Sequence, residues 1–244
     1  MMIFLERFAK AITPAWIPRQ LRRWKHRRRA TDLEAAWQIR REFFWKAFKA
    51  FDYNGISGDY VEFGSHGGMT FRLAFDQISA RKIKRRMWAF DSFCGLPEAS
   101  APADDHPHWK KGGLATSVEA FHRICRVHGM KRDAYSTVEG FYDETLTKLA
   151  DTDAPVDIAL AYIDCDMYSS TKTVLDFLLP RLKHGMIVAF DDYYCWSADQ
   201  ISGERRALLE FLEANTEWRF LQYRDFGWAG ESFVVERAEQ TLTE

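Results

Sequence analysis

The sequence predicts an α/β domain around a mostly parallel, seven-stranded sheet, and three observations carry that expectation. Short apolar runs alternate with helix-period runs from residue 57 onward. Such alternation gives parallel strands covered by helices on both faces. The last two apolar runs, EWRFLQY and ESFVVER, have no helix between them, which predicts an antiparallel hairpin at one end of the sheet. At 244 residues, with 47% apolar and 28% charged residues, the chain can bury a sizeable core; wholesale disorder, collagen and repeat arrays are excluded.

Taken in order, residues 1–30 read as a basic arm in which Pro14 and Pro18 prevent one continuous helix. From Thr31 to Phe51, Trp37, Phe44, Phe48 and Phe51 recur at helical spacing, with Thr31 or Asp32 as N-cap, so residues 31–56 are expected to form a helical cap over the core. After the turn NGISG, residues 57–244 form the main domain. DYVEF is its first strand, GGMTFRLAFDQIS a helix, RMWAFDS the second strand, TSVEAFHRICRVHGM a helix, DAYSTVEG the third strand and VDIALAYIDCD the fourth. SSTKTVLDFLL turns Val174, Leu175, Leu178 and Leu179 toward the sheet, HGMIVAFDDY is the fifth strand, and ERRALLEFLEA is the last helix before the hairpin.

Charge is unevenly divided. The first 30 residues hold nine Lys/Arg against Glu6 alone, a net +8, and the remainder carries −9. An acidic body argues against a nucleic-acid groove, which needs clustered cations. In the arm, Ile3, Phe4 and Trp16 among arginines could make peripheral contact with an anionic inner membrane face, against the plainer reading of a solvated or partner-packed extension. Cys94, Cys125, Cys165 and Cys195 form no CxxC pair or zinc spacing, so a reduced, cytoplasmic protein is expected. No apolar run approaches the roughly 20 residues of a membrane span, and Glu6, Arg7 and Lys10 break any signal-peptide core. Self-association stays open.

In sheets of this kind ligands bind beyond the carboxyl ends of the strands. The first strand ends in Glu62 and runs through Gly64, Ser65, His66, Gly67 and Gly68 into a helix. The glycines allow close backbone approach, the helix start favours a carboxylate, and Glu62 suits an ammonium group. The second strand ends at Asp91, where a carboxylate can accept from both hydroxyls of a ribose. Together they point to a nucleoside bearing an amino acid, S-adenosyl-L-methionine, although a tight strand-to-helix turn explains the glycines as well. The fourth and fifth strands end in Asp164 with Asp166 and Asp191 with Asp192. Carboxylates converging there repel unless a cation joins them, and Mg²⁺ is the economical candidate beside helix capping or internal salt bridges.

The stretches GDYVEFGSHGGMTFRLAF, AFDSFCGLPE, WKKGGLATSVEAF, VEGFYDETL, YIDCDMYSSTKTVLDFLLPRLKHGMIVAFDDY and GERRALLEFL make residues 57–236 resemble the macrocin and mycinamicin type sugar O-methyltransferases. The resemblance implies a class I methyltransferase sheet, a Rossmann-like fold, and methyl transfer from S-adenosylmethionine to a sugar hydroxyl of a natural-product glycoside or cell-surface glycan. It implies that Glu62, Gly64, Ser65, Gly68, Thr70, Asp91, Ser92, Gly140, Phe141 and Asp164 surround the cofactor, and that Asp164, Asp191 and Asp192 hold magnesium. A hydroxyl acidified by that ion would lose its proton to Asp164 or Asp191. Two departures stand out: Cys94 replaces a glutamate of the family pattern, and no histidine follows the Asp191–Asp192 pair to act as a second base.

Three rival readings share the sheet: a catechol acceptor on the same ion, an NAD(P)-dependent sugar oxidoreductase using Tyr168 and Lys172, and a non-catalytic donor-binding protein. Tyr168-x-x-x-Lys172 carries little weight without a GxGxxG turn, and Ser169 or Thr171 fits better as a helix cap. His66 is expected to bond its loop, His106 and His108 to lie in a solvated Pro-rich loop, Trp109 to offer a face to a sugar ring, and Cys195 to be a packed thiol.

Overall fold

The computed structural model describes residues 17–82 and 84–238. Contacts divide the chain inside its first helix, after Ile39. Up to that point the described chain is helix; Arg40 onward holds the sheet and its covering helices.

The elements are α1 (Ile17–Asn54), β1 (Asp59–Phe63), α2 (Met69–Ser79), β2 (Met87–Asp91), α3 (Val118–Val127), β3 (Tyr135–Glu139), α4 (Tyr142–Thr145), β4 (Ile158–Ile163), α5 (Tyr168–Leu178), β5 (Ile187–Phe190), α6 (Gly203–Ala214), β6 (Trp218–Phe226) and β7 (Gly230–Arg237). All seven expected strands are present. Their order is β3-β2-β1-β4-β5-β7-β6. The first five pair in parallel, and β7 is antiparallel to both β5 and β6. The chain winds from β1 outward to β3 and then returns to the other side of β1, so the switch point lies between β1 and β4, where a ligand crevice opens.

The helix expected to begin at Thr31 or Asp32 begins at Ile17 instead. Pro18 does not interrupt it because it sits in the first turn, where a missing N–H costs no intrahelical bond. Residues 1–16, with the lipid contact expected of Ile3, Phe4 and Trp16, lie outside the described residues. The helix stops at Gly55, whose φ of +69° suits a glycine, as Ile56 N–H returns to the Phe51 carbonyl at 2.9 Å. Phe44, Phe48 and Phe51 are buried as their spacing predicts, with Phe43 and Ala47 beside them. Phe43 stacks on Phe226 at 4.4 Å and Phe44 on Tyr162 at 5.3 Å between centroids. This end of α1 therefore covers the sheet over β4 and β6.

On the opposite face α5 and α6 bury Val174, Leu175, Leu178, Ala207 and Leu208 against β4, β5 and β7. Helix α5 is not capped by its own hydroxyls. Thr171 Oγ donates back to the Met167 carbonyl at 2.8 Å, and the Ser169 N–H is met by Asp104 Oδ1 at 2.8 Å from a loop 65 residues upstream. Among the described residues no helix is long and apolar enough to cross a membrane.

Candidate active site

Backbone bonds carry the ladder past the strand ends and set four loops side by side. Gly64 N–H bonds Phe90, Asp164 N–H bonds Phe63 and Asp191 N–H bonds Ile163, each at 2.8 Å; Gly140 N–H bonds Asp91 at 3.0 Å. Gly64 has φ +88°, and a Cβ there would lie 1.9 Å from the Asp164 carbonyl oxygen. The turn after β1 thus passes directly over the loop after β4, an approach only glycine permits. Asp91 fastens the neighbouring turns: its two oxygens accept from the N–H groups of Ser65 and Phe93, each at 2.6 Å. Burial raises its pKa.

A cavity of about 600 Å³ opens over the switch point. Of the residues expected around a cofactor, Gly64, Asp91, Ser92, Gly140, Phe141 and Asp164 line it, whereas Glu62, Ser65, Gly68 and Thr70 are buried residues outside that lining. Glu62 is fully buried and accepts from the Tyr60 hydroxyl and, at 3.0 Å, from Thr70 Oγ. Burial pushes its pKa up to about 8. An acid whose folded-state pKa lies above its unfolded value loses stability as pH rises, because the folded protein keeps a proton that the unfolded chain releases. Glu62→Gln, which mimics the protonated form, is therefore expected to melt progressively higher than the parent between pH 5 and pH 8. Melting curves at both pH values check this, and a pH-independent difference would contradict it.

The acids at the ends of β4 and β5 do converge. Asp164, Asp191 and Asp192 each offer a carboxylate oxygen, and these lie within 4.8 Å of one another. Asp166, with φ +62°, and Glu204, at the start of α6, join them. Glu204 is fully buried and accepts from Cys165 N–H at 3.3 Å and Asp192 N–H at 3.0 Å, strapping the two acid-bearing loops together. Burial, then mutual repulsion, raises the pKa of Asp164, Asp166 and Glu204 well above the usual carboxylate range and that of Asp192 above it. Asp164, Asp166 and Asp192 face the cavity. A hard divalent cation fits this donor set, since only oxygens are offered and, among the described residues, no cationic side chain forms an ion pair with Asp164 or Asp192.

Asp191 differs from the other four acids. Arg40 of α1 forks it, Nε to Oδ1 at 2.9 Å and Nη2 to Oδ2 at 2.6 Å, and the Tyr162 hydroxyl also donates to Oδ1. It does not line the cavity. Burial disfavours the Arg40 charge, yet the bonds and charge of Asp191 hold its pKa above the ordinary value.

The loop between β2 and α3 forms one wall. Gly95 packs so closely on Gly112 and Gly113 that a Cβ would come within 2.5 Å of the Gly113 oxygen, and paired backbone bonds join Leu96 to Gly112 and Gly113. Trp109 stacks on His106 at 4.0 Å and abuts Gly203, where a Cβ would meet its ring at 2.8 Å. Its indole lies close enough to Asp166 to favour the ionised carboxylate, although burial and the neighbouring acids raise that pKa overall. His66 lines the cavity and bonds Thr116 Oγ at 3.0 Å. Cys195 is a packed thiol, donating to Asp192 Oδ1 at 3.1 Å. Tyr168 donates to Glu210 on α6 at 2.6 Å and is absent from the cavity lining, so the Tyr168–Lys172 pair has no oxidoreductase geometry. Reading the sequence singled out neither Arg40 nor Glu204; Glu204 carried a signal in GERRALLEFL, an acid at the start of a predicted helix.

A family model described as macrocin-O-methyltransferase (TylF) matches residues 36–215. Over 149 residues the chain is 32% identical to the 8-demethyl-8-(2,3-dimethoxy-alpha-L-rhamnosyl)-tetracenomycin-C 4'-O-methyltransferase of Streptomyces olivaceus, covering 57% of this chain and 54% of that one. It is 31% identical over 147 residues to the demethyldecarbamoylnovobiocin O-methyltransferase of Streptomyces niveus, with the same coverage. The matched chain spans about half the length of these curated relatives. In structure it is similar to the O-methyltransferase NovP, with a TM-score of 0.65 at 23% identity over 80% of this chain and 79% of that one. It is also similar to CalS11, a calicheamicin methyltransferase, with a TM-score of 0.63 at 26% identity over 80% and 77%. A seven-stranded sheet with this switch point, the glycine turn over Asp164 and a family match across most of the chain agree: the protein belongs to the TylF macrocin-O-methyltransferase family.

Proposed function

We propose that the protein is an S-adenosylmethionine-dependent, Mg²⁺-assisted O-methyltransferase acting on a sugar hydroxyl of a glycoside or glycan. The observation that carries this reading is the double use of Asp164. Its carbonyl lies beneath the Gly64 turn of the cofactor cavity, and its carboxylate belongs to the acid triad. A nucleoside-sized cavity and a divalent-cation donor set therefore share a wall.

When bound, S-adenosylmethionine supplies an electrophilic sulfonium methyl, and Mg²⁺ acidifies an acceptor hydroxyl beside it. The chain does the rest. The Gly64 turn and Asp91 would hold the donor's amino-acid and ribose parts, Gly140 and Phe141 line the same cavity, and Asp164, Asp191 and Asp192 would hold the cation. Asp166 faces the cavity beside the triad without being one of those three ligands. Asp166 is therefore the best-placed group to take the proton as the hydroxyl oxygen attacks and the C–S electron pair returns to sulfur. Holding both reactants in line supplies much of the acceleration.

Incubation with S-adenosylmethionine, Mg²⁺ and a panel of deoxysugar glycosides tests the reading, with methylated product detected by mass spectrometry. Donor binding without turnover on any sugar or catechol acceptor would point to a silent binding protein instead. Asp166→Asn is expected to lower kcat by about 10²–10⁴-fold while leaving cation affinity near the parent value. Equal turnover in parent and variant would remove Asp166 from the mechanism.

A further inference from the structure

We infer that Arg40 and Tyr162 restrict Asp191 to ligation through a single oxygen, and thereby tune the acid triad toward a small octahedral cation and against Ca²⁺. The inference rests on the metal-holding role proposed for that triad.

An ionised carboxylate has about four acceptor sites. On Asp191, Oδ1 receives both Arg40 Nε and the Tyr162 hydroxyl, and Oδ2 receives Arg40 Nη2. One site on Oδ2 is left. A cation can therefore be met by one oxygen of Asp191, and chelation by both would require displacing either Arg40 Nε or the Tyr162 hydroxyl from Oδ1.

Four elements hold the fork in place. Arg40 comes from α1, Tyr162 from β4 and Asp191 from the end of β5. The turn between β6 and β7 closes over the guanidinium: at Gly227, φ +64°, a Cβ would lie 3.2 Å from Arg40 Nη1. Arg40 and Asp191 side chains are only 10% and 12% exposed, and Tyr162 is fully buried. A planar five-donor fork in so enclosed a site has little freedom to swing away.

The consequence is selectivity. Ca²⁺ takes six to eight oxygens and favours carboxylates bound through both oxygens, whereas Mg²⁺ demands six in near-ideal octahedral geometry. A triad whose most enclosed member can give only one oxygen suits the smaller ion. Removing charge alone would change the affinity of both dications in parallel, so the ratio of the two affinities isolates the geometric effect.

The test is calorimetric titration of the full chain with MgCl₂ and with CaCl₂, comparing the parent with Arg40→Lys and with Tyr162→Phe. Lysine keeps the positive charge but cannot fork, and phenylalanine keeps the packing but frees a site on Oδ1. The parent is expected to prefer Mg²⁺, and each variant to move the Ca²⁺-to-Mg²⁺ affinity ratio toward Ca²⁺, Arg40→Lys by about tenfold or more. Thermal melts establish that each variant is folded, and Tyr162→Phe carries the test if Arg40→Lys is not. Parental binding with an unchanged ratio in the folded variants would overturn this inference alone. A parent that binds neither ion would overturn the proposed metal role and this inference with it.

Discussion

Alanine at Gly64 is expected to cost on the order of 4 kcal/mol or more and to abolish binding of S-adenosylhomocysteine. Two independent penalties act there. The backbone sits at φ +88°, where an L side chain is strained, and the added methyl would lie 1.9 Å from the Asp164 carbonyl. Neither neighbour can yield cheaply, because Asp164 N–H is itself held by Phe63 in the ladder between β1 and β4. Relief would require those strand ends to separate, which would displace both the donor turn and an acid of the triad. Urea denaturation and calorimetry check the two effects, and a variant with parental midpoint and affinity would contradict the reading of this turn.

Asparagine at Asp164 is expected to have opposite effects on stability and on function. Burial and the charges of Asp191 and Asp192 work against ionised Asp164, so removing its charge should raise the melting temperature of the metal-free protein. The same change should weaken Mg²⁺ binding by about 10²-fold, the upper end for loss of a supporting group, and eliminate methyl transfer. Millimolar Mg²⁺ should then stabilise the parent but not the variant. Differential scanning calorimetry with and without Mg²⁺ reads both signs at once. A variant less stable than the parent in the absence of metal would mean that Asp164 is held by favourable contacts rather than by repulsion awaiting a cation.

Much of this architecture is legible in the chain because it is written in local patterns. Continuous apolar runs such as IALAYI in β4 are buried on both faces of a central strand, and the absence of a helix between EWRFLQY and ESFVVER marks the hairpin. The cavity acids are legible because each directly follows a strand, and topology then brings Asp91 and Asp164 to one edge. What is not legible depends on distant partners. Nothing near Ser169 announces that Asp104 caps α5, and Arg40 meets Asp191 across 151 residues. Arg40 in particular lies in a helix rich in arginine, with no local mark that separates a buried cation from solvated ones. The early start of α1 was hidden by Pro18, whose effect depends on whether it falls inside a helix or in its first turn.

Glu62 marks the boundary between reading a residue type and reading its place. An acid at the end of the first strand suggests a direct contact with the donor's ammonium group. In the structure it receives Tyr60 and Thr70 and is fully buried, outside the cavity lining to which Gly64 belongs.

One cavity at the switch point is proposed to hold both an adenosyl donor and a divalent cation. Crystals grown with S-adenosylhomocysteine and Mn²⁺ address it most directly, because Mn²⁺ is located by its anomalous scattering. An anomalous peak bonded by oxygens of Asp164, Asp191 and Asp192 is expected, with the thioether sulfur in the same cavity and the ribose against Asp91. Mn²⁺ bound elsewhere, or nucleoside density away from the Gly64 turn, would contradict it.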